Sequence, residues 1–436
     1  VTPGAASAFA PFRVRAFRFQ WPSDLLVAFA LEIENIILGW YILVETKSVV
    51  LLTAFAALQF LGSLLAPYFG MLADRMGRRV MLYAMRLTFA GLAMVLMVLG
   101  LTDSLSAPAV FVVAFFGGLL KTSELMLRQA LSTDILPANC LMPAMGLSRV
   151  TLDGARVFGA LTGAGLFAWL GFGISYVVVA AFYVASFLLM RAATLGGAAQ
   201  GATEQGGGGA RTQASSRSPA RFSVPTPAAG VAMRPVQSGW RDLRDGLVYV
   251  YNTPRLLGIC CLVVMLNLLA FPLTAGLLPY VAREVYALDE LGYGRLVAAH
   301  AVGALAGSLM MTVLMRPVNA ARLMLIASIA WQAVIVVFAL IRDPAWGMFV
   351  LALLGACQSV TMVSLTAAVL GAAAAEFRAR VMGVRMLGVY GLPVGLVAAG
   401  YLVNSVGFAP TLALFGLLGV AGASFVARRW RRALWA

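Results

Sequence analysis

The chain has 436 residues, 61% of them hydrophobic and 11% charged, with a mean hydropathy of +0.91. So few polar side chains cannot cover a soluble protein of that length, whereas apolar runs of ~20 residues suit helices that cross a bilayer. The net charge of +15 does not point to nucleic acid, because the arginines fall in short clusters between apolar runs, as the positive-inside bias of membrane proteins requires.

In chain order, Arg13, Arg15 and Arg18 precede the first apolar run, which is too long for a signal peptide and lacks a small-residue cleavage site, so no cleavage is expected. Six spans are predicted over Trp21–Leu43, Ser48–Gly70, Val80–Leu101, Pro108–Leu127, Arg149–Leu170 and Ile174–Met190. Six more are predicted over Leu256–Leu278, Leu291–Leu314, Leu323–Ile341, Trp346–Leu370, Val381–Val403 and Ala409–Val426. The runs do not alternate, which excludes a β-barrel. The fold class is therefore an all-α polytopic membrane protein. Cys140, Cys260, Cys261 and Cys357 lie in or beside apolar runs without ligand spacing, and read as small hydrophobes rather than disulfides.

Residues 193–236 are rich in Gly, Ala, Ser, Thr and Pro and include EQGGGGA, a composition expected to be a disordered linker between an N-terminal half, 1–192, and a C-terminal half, 237–436. Next comes SGWRDLRDGLVYVYNTPRLLG, where Trp240, Leu243, Leu247 and Tyr251 share one helical face. This predicts a short interfacial helix ahead of the seventh span. One side of the membrane collects the N-terminal arginines, Arg75, Arg78, Arg79, Arg128, Arg316, Arg322, Arg378, Arg380 and the C-terminal cluster from Arg428 to Arg432. Both termini and the linker are therefore expected in the cytoplasm.

The halves repeat weakly. Met145-Gly146 aligns with Met382-Gly383, Gly154 with Gly391, Gly163 with Gly400 and, one gap later, Gly171-Phe172 with Gly407-Phe408. Such duplication places a central site between two related bundles. Gly159/Gly163 and Gly391/Gly395, one turn apart in the fifth and eleventh spans, suit close helix packing and are expected to face the opposite half.

The loop after the second span reads Gly70-Met71-Leu72-Ala73-Asp74-Arg75-Met76-Gly77-Arg78-Arg79. In this place it resembles the cytoplasmic signature of the major facilitator superfamily, twelve-helix secondary transporters. A degenerate counterpart follows the eighth span, with Arg316 in the place of Arg75 and Met315 in that of Asp74. RDGLVYVYNTPRLLG, LSTDILPAN and EFRARVMGVRMLGVYGLPVGLVAAG resemble the branch of drug and siderophore exporters that includes the enterobactin exporter. Gly159-Ala160-Leu161-Thr162-Gly163-Ala164 departs from that branch's antiporter motif, with alanine where proline is usual.

The resemblance implies two pseudo-symmetric six-helix bundles in a bacterial inner membrane. It also implies a gating latch in which Asp74 faces the start of the eleventh span near Arg378 and Arg380. The bland reading is that Arg75, Arg78 and Arg79 anchor the loop to lipid headgroups. Gly70 and Gly77 are expected to allow tight turns and close backbone approach.

Charges within the spans carry more information, because they are costly in lipid and normally face the bundle interior. Lys121 and Glu124 in the fourth span, and Asp153 and Arg156 in the fifth, are spaced to share a face and pair internally. The resemblance implies that spans three, six, nine and twelve stand outside the cavity, and these read as free of central charge. Glu32 and Glu34 in the first span have no cation on their own helix. Glu32 shares a small polar stripe with Ala28, Asn35 and Gly39, so it is expected to face a cavity. Glu34 shares a bulky stripe with Leu31, Leu38 and Tyr41, so it is expected to face a neighbouring helix, toward Lys121 or Arg156. Carboxylates taken out of water bind protons more readily, and these two acids are the candidates for proton coupling. Gln59, Asn267, Gln358 and Tyr390 are candidate cavity residues, and His300 is expected to be hydrogen-bonded in a helix interface.

No catalytic constellation, metal cluster or cofactor motif is evident, so neither an enzyme nor a cofactor is expected. The expectation is a proton-coupled exporter of an amphiphilic small molecule, a drug or siderophore-like metabolite, acting as a monomer in lipid without nucleic acid. A solute importer or a lysophospholipid flippase remains open, as does a non-transporting receptor or assembly partner.

Overall fold

The computed structural model describes residues 10–206, 239–314, 319–374 and 376–434, and every regular element among them is helical. The first span is α1 (Arg15–Thr46), closed by Lys47 in the left-handed region. The second is divided into α2 (Val49–Leu58) and α3 (Gly62–Met76) by a turn at 59–61. The turn lies where this span crosses α5 (Ala107–Ile135), which is the fourth span. There a side chain on Gly62 would collide with the carbonyls of Gly118 and Leu119, and one on Gly118 with Leu58 and Gln59. Gly77, at φ 92°, turns the chain into α4 (Arg78–Leu101), the third span.

The fifth and sixth spans form one helical element, α6 (Ala138–Gly206), broken at Gly171 with φ 72° and ψ −178°. The expected linker thus begins within α6, and 207–236 lie outside the described residues. The expected interfacial helix is α7 (Gly239–Asn252), whose Leu247 and Tyr251 are exposed. The seventh span runs through α8 (Pro254–Leu269), a π turn at Leu273–Leu277, α9 (Leu278–Tyr280) and a second π turn at Val281–Val285. Then follow α10 (Glu290–Leu314), α11 (Ala320–Leu340) and α12 (Pro344–Ala372). The eleventh span comprises α13 (Arg378–Leu387) and α14 (Gly391–Val406), joined by a tight turn at Gly388–Tyr390. The chain ends in α15 (Phe408–Arg429) and the short α16 (Arg431–Leu434).

Ten stretches among the described residues are individually long and apolar enough to cross a membrane. The fifth and sixth spans count as one of them, Pro143–Ala192, and the divided second span as none. The repeat read in the sequence has a backbone counterpart. Gly407, the partner of Gly171, stands at φ 92° between α14 and α15. Both junctions thus require a conformation that glycine alone adopts readily.

One packing expectation is corrected. Side chains on Gly159 and Gly163 would press on Glu32 and Ile33 of α1, and those on Gly391 and Gly395 on Val264 and Leu268 of α8. Each glycine pair therefore seats its helix within its own half, the fifth span on the first and the eleventh on the seventh. The halves meet instead through other small residues. Gly294 abuts Ala160 and Ala164, Gly400 abuts Thr53, and Gly39 abuts Pro279. These meetings, of α6 with α10, α2 with α14 and α1 with α9, lie toward the end of the bundle away from the chain termini. At the terminus end α3 packs on α4 and α5, and α13 on α7, α8 and α12, each within its own half. The arrangement is closed at the far end, where Trp40 stacks on Tyr293 at 5.9 Å and its Nε1 donates to Glu290 at 3.0 Å.

Candidate functional site: the cavity between the halves

Below the closed end lies a cavity of about 400 Å³. Its two walls differ in chemistry. The first half contributes every charged lining residue, Glu32, Lys121 and Arg156, with the amides of Asn35 and Gln59 and apolar side chains such as Ile36, Phe55 and Phe60, while the second contributes only uncharged residues, among them Leu278, Pro279, Val297, Thr274 and Tyr293. Ala275 and Gly276 come from the π turn, and Leu278 and Pro279 from α9.

Glu32 lines this cavity, and its Oε1 lies 3.6 Å from Nε of Arg156. Arg156 also lies 3.8 Å from Asp153, which is buried and takes a closer contact of 2.9 Å from Arg149. Signs thus alternate along a ladder from Arg149 through Asp153 and Arg156 to Glu32. Lys121 is held differently. Its Nζ donates to Asn35 Oδ1 at 3.2 Å and to Gln59 Oε1 at 3.1 Å, two neutral amides that position the ammonium without neutralising it.

Glu34 stands on the opposite side of α1 and faces a neighbouring helix, but the partner is not the expected Lys121 or Arg156: its carboxylate accepts a 2.8 Å hydrogen bond from Tyr183 of α6. Tyr183 in turn stacks on Phe89 of α4 at 5.6 Å. A small cavity of about 30 Å³, roomy enough for a water, is lined by Glu34, Asn35, Gln59 and Lys121. Lys121 thus borders both spaces.

One expectation about charge is corrected. Lys121 and Glu124 share a helix but not a partnership, because Glu124 turns to Arg86 at 3.5 Å. Toward the start of the third span, outside the central portion read as uncharged, Arg86 of α4 is completely buried. It donates to Asp24 and Ser23 of α1, to Ser186 of α6 at 3.1 Å, and to Glu124. Arg128 adds a bond to the Asp24 carbonyl at 3.3 Å. Asp24, Arg86, Glu124 and Arg128 form a balanced buried cluster joining α1, α4, α5 and α6. Sequence reasoning missed it because Asp24 and Arg86 lie close to span ends, where charge normally meets headgroups. The available signal was Arg86's place on the helix face of Leu82 and Phe89, both buried.

His300 bonds Gln358 at 2.7 Å between α10 and α12, as expected of a helix-interface histidine. Neither Gln358 nor Tyr390 lines the cavity, and Asn267 donates to its own helix at Val263. In the loop signature Gly77 makes the turn, whereas a Cβ on Gly70 would meet nothing within 4 Å among the described residues. The described residues thus make no close approach at Gly70. Arg78 grips Asp134 at the end of α5 in a two-pronged bond of 2.9 and 3.0 Å, while Arg75 and Arg79 are exposed. The Asp74 side chain lies outside the described residues.

The Major Facilitator Superfamily model matches residues 21–390. The chain belongs to this superfamily. No curated protein matches it in sequence. Among solved structures it is similar to the POT family transporter PepTSo, with a TM-score of 0.71 and 12% identity over 96% of this chain and 99% of that one. It is also similar to a point mutant of the nucleoside transporter NupG, with a TM-score of 0.63 and 14% identity over 96% and 99% of the two chains. The human organic anion transporter MFSD10 gives 0.61 and 16% over 95% and 99%. At such identities the likeness establishes the fold: two six-helix bundles of a multi-pass carrier, a class generally without enzymatic activity.

Proposed function

We propose that this superfamily member is a proton-coupled secondary transporter that exports an amphiphilic small molecule carrying an acidic group. The observation that carries this reading is the asymmetric cavity, whose charged residues all come from the first half while apolar surface comes from both. An apolar body would lie against Leu278, Pro279 and Val297, and an anionic group would meet Lys121, whose amide partners leave its charge available. Glu32 is the proton carrier. Ionised, it holds Arg156; protonated, it releases that guanidinium to the substrate or to the closing movement.

With the termini cytoplasmic, the arrangement closed at the far end is the one that loads substrate from inside the cell. Export requires that proton and substrate bind the two arrangements with different affinities, because equal binding shifts nothing. The two halves then rock about the central site. Glu34 is a positioning residue that ties α1 to α6 through Tyr183.

The test is uptake into energised inverted vesicles from a panel of anionic, neutral and cationic amphiphiles, with and without an uncoupler. Anionic amphiphiles should accumulate and the uncoupler should abolish accumulation. Glu32→Gln should lose gradient-driven transport while retaining substrate binding. Unchanged pH-dependent transport by that variant refutes the assignment of Glu32. Accumulation only in right-side-out vesicles reverses the direction.

A further inference from the structure

A second cavity, of about 550 Å³, lies outside the central one and shares no lining residue with it. It is a crevice between α7, the terminus-side part of α8, and α13. Leu247 and Tyr251 form its rim, Cys261, Val264 and Leu268 its long wall, and Arg385 is the one charged side chain among the described lining residues. The rim is open to the surroundings: Tyr251 is 74% exposed and Val264 47% exposed.

Arg385 forms no ion pair with any described residue. In the bundle interior Arg86 and Arg156 are held by acids and Lys121 by amides. A guanidinium left without a counter-charge beside apolar walls calls for an anion brought from outside. The dimensions name its carrier. From Leu257 to Leu268 the α8 wall runs roughly 16 Å at ~1.5 Å per residue, about the depth of one leaflet of a ~30 Å hydrocarbon core. Arg385 lies roughly 10 Å along the helix from Arg378, within reach of the headgroup level for a long side chain that snorkels. The amphipathic α7 borders the crevice at that same level.

We propose that this crevice is a binding site for an anionic phospholipid of the leaflet on the side of the termini. An acyl chain fills the apolar groove and the phosphate pairs with Arg385. Basic pockets between membrane helices on the positive side commonly hold anionic headgroups. The site is independent of what the central cavity transports.

The delipidated full-length protein can be titrated with phosphatidylglycerol and with phosphatidylcholine of the same chains, bound lipid being counted by native mass spectrometry. Wild-type protein should prefer phosphatidylglycerol, and Arg385→Gln should lower that affinity roughly fivefold without changing phosphatidylcholine binding. Arg385→Lys should restore most of it. Val264→Trp, which fills the groove, should weaken both lipids. In parallel, phosphatidylglycerol should slow alkylation of the exposed Cys261 more than phosphatidylcholine does, a readout that needs no variant should Arg385→Gln fold poorly. Equal retention of the two lipids by wild type, equal phosphatidylglycerol binding by a folded Arg385→Gln, or equally good protection by glycerol phosphate without chains overturns the proposal.

Discussion

Replacing Arg86 with methionine keeps the apolar stem of the side chain but removes every donor that Arg86 supplies to the buried cluster. Asp24 and Glu124 would then share only Arg128, whose 3.3 Å bond goes to the Asp24 carbonyl rather than to its carboxylate. Arg86 is wholly buried and Glu124 nearly so, so water cannot readily replace the lost partner. Breaking a buried ion pair from one side costs about 3–5 kcal/mol. Loss of the bonds to Ser23 and Ser186 adds about 1 kcal/mol each, the usual net value of a hydrogen bond. Part of this is relieved by protonation of the stranded acids, so a net destabilisation of about 3–5 kcal/mol is expected. The assay is thermal melting of the detergent-purified protein, read as the surviving monodisperse peak in fluorescence-detected size exclusion. Adding Glu124→Gln to Arg86→Met should recover stability, because it removes one uncompensated charge, whereas Glu124→Gln alone should be destabilising. Such a sign reversal is the mark of direct coupling. If Arg86→Met melts with wild type, or if the second substitution makes it worse, the cluster is not the staple described here.

Three further outcomes follow from other parts of the molecule. Trp40→Phe removes the donor to Glu290 and, at about 1 kcal/mol per bond, should shift the balance between arrangements roughly fivefold toward opening of the far end. Spin labels at Lys47 and Asp289 should then report a longer distance component, and an unchanged distribution would count against the contact as a gate. Gly303→Val should sharply lower the folded yield, since even a Cβ there collides with the Ala352 carbonyl across α10 and α12; overpacking of this kind costs about 1–3 kcal/mol or more. A normal yield would mean that the two helices separate easily. Asp74→Asn should slow transport several-fold while leaving membrane insertion intact, which vesicle transport normalised to protein content measures. Wild-type rates would remove Asp74 from the gating latch.

How far the sequence reaches depends on whether a property belongs to one helix or to two. Membrane helices had to form wherever the runs allowed, because a backbone in hydrocarbon must satisfy its own hydrogen bonds. The Gly171/Gly407 correspondence was likewise legible, since a residue without Cβ marks a backbone need that is local. The orientation of Glu32 and Glu34 followed from helical periodicity alone, and the cavity and Tyr183 lie on the sides that periodicity indicates.

Partners were a different matter. Lys121 and Glu124 share a face by spacing, yet one meets the amides of Asn35 and Gln59 and the other meets Arg86 of α4. Gly159 and Gly163 announce close packing without saying against which helix. Gly303 and Gly307, at the same spacing, carry another close contact, against Ala352 and Ala356. The sequence by itself determined the membrane class, the helical spans and the opposite faces of Glu32 and Glu34, because hydrophobicity and helical period are properties of a single segment. Only the tertiary structure decided which charges neutralise one another, which end of the bundle is closed and that Arg385 meets no counter-ion among the described residues. Those depend on which two faces meet, and a one-dimensional pattern does not contain that pairing.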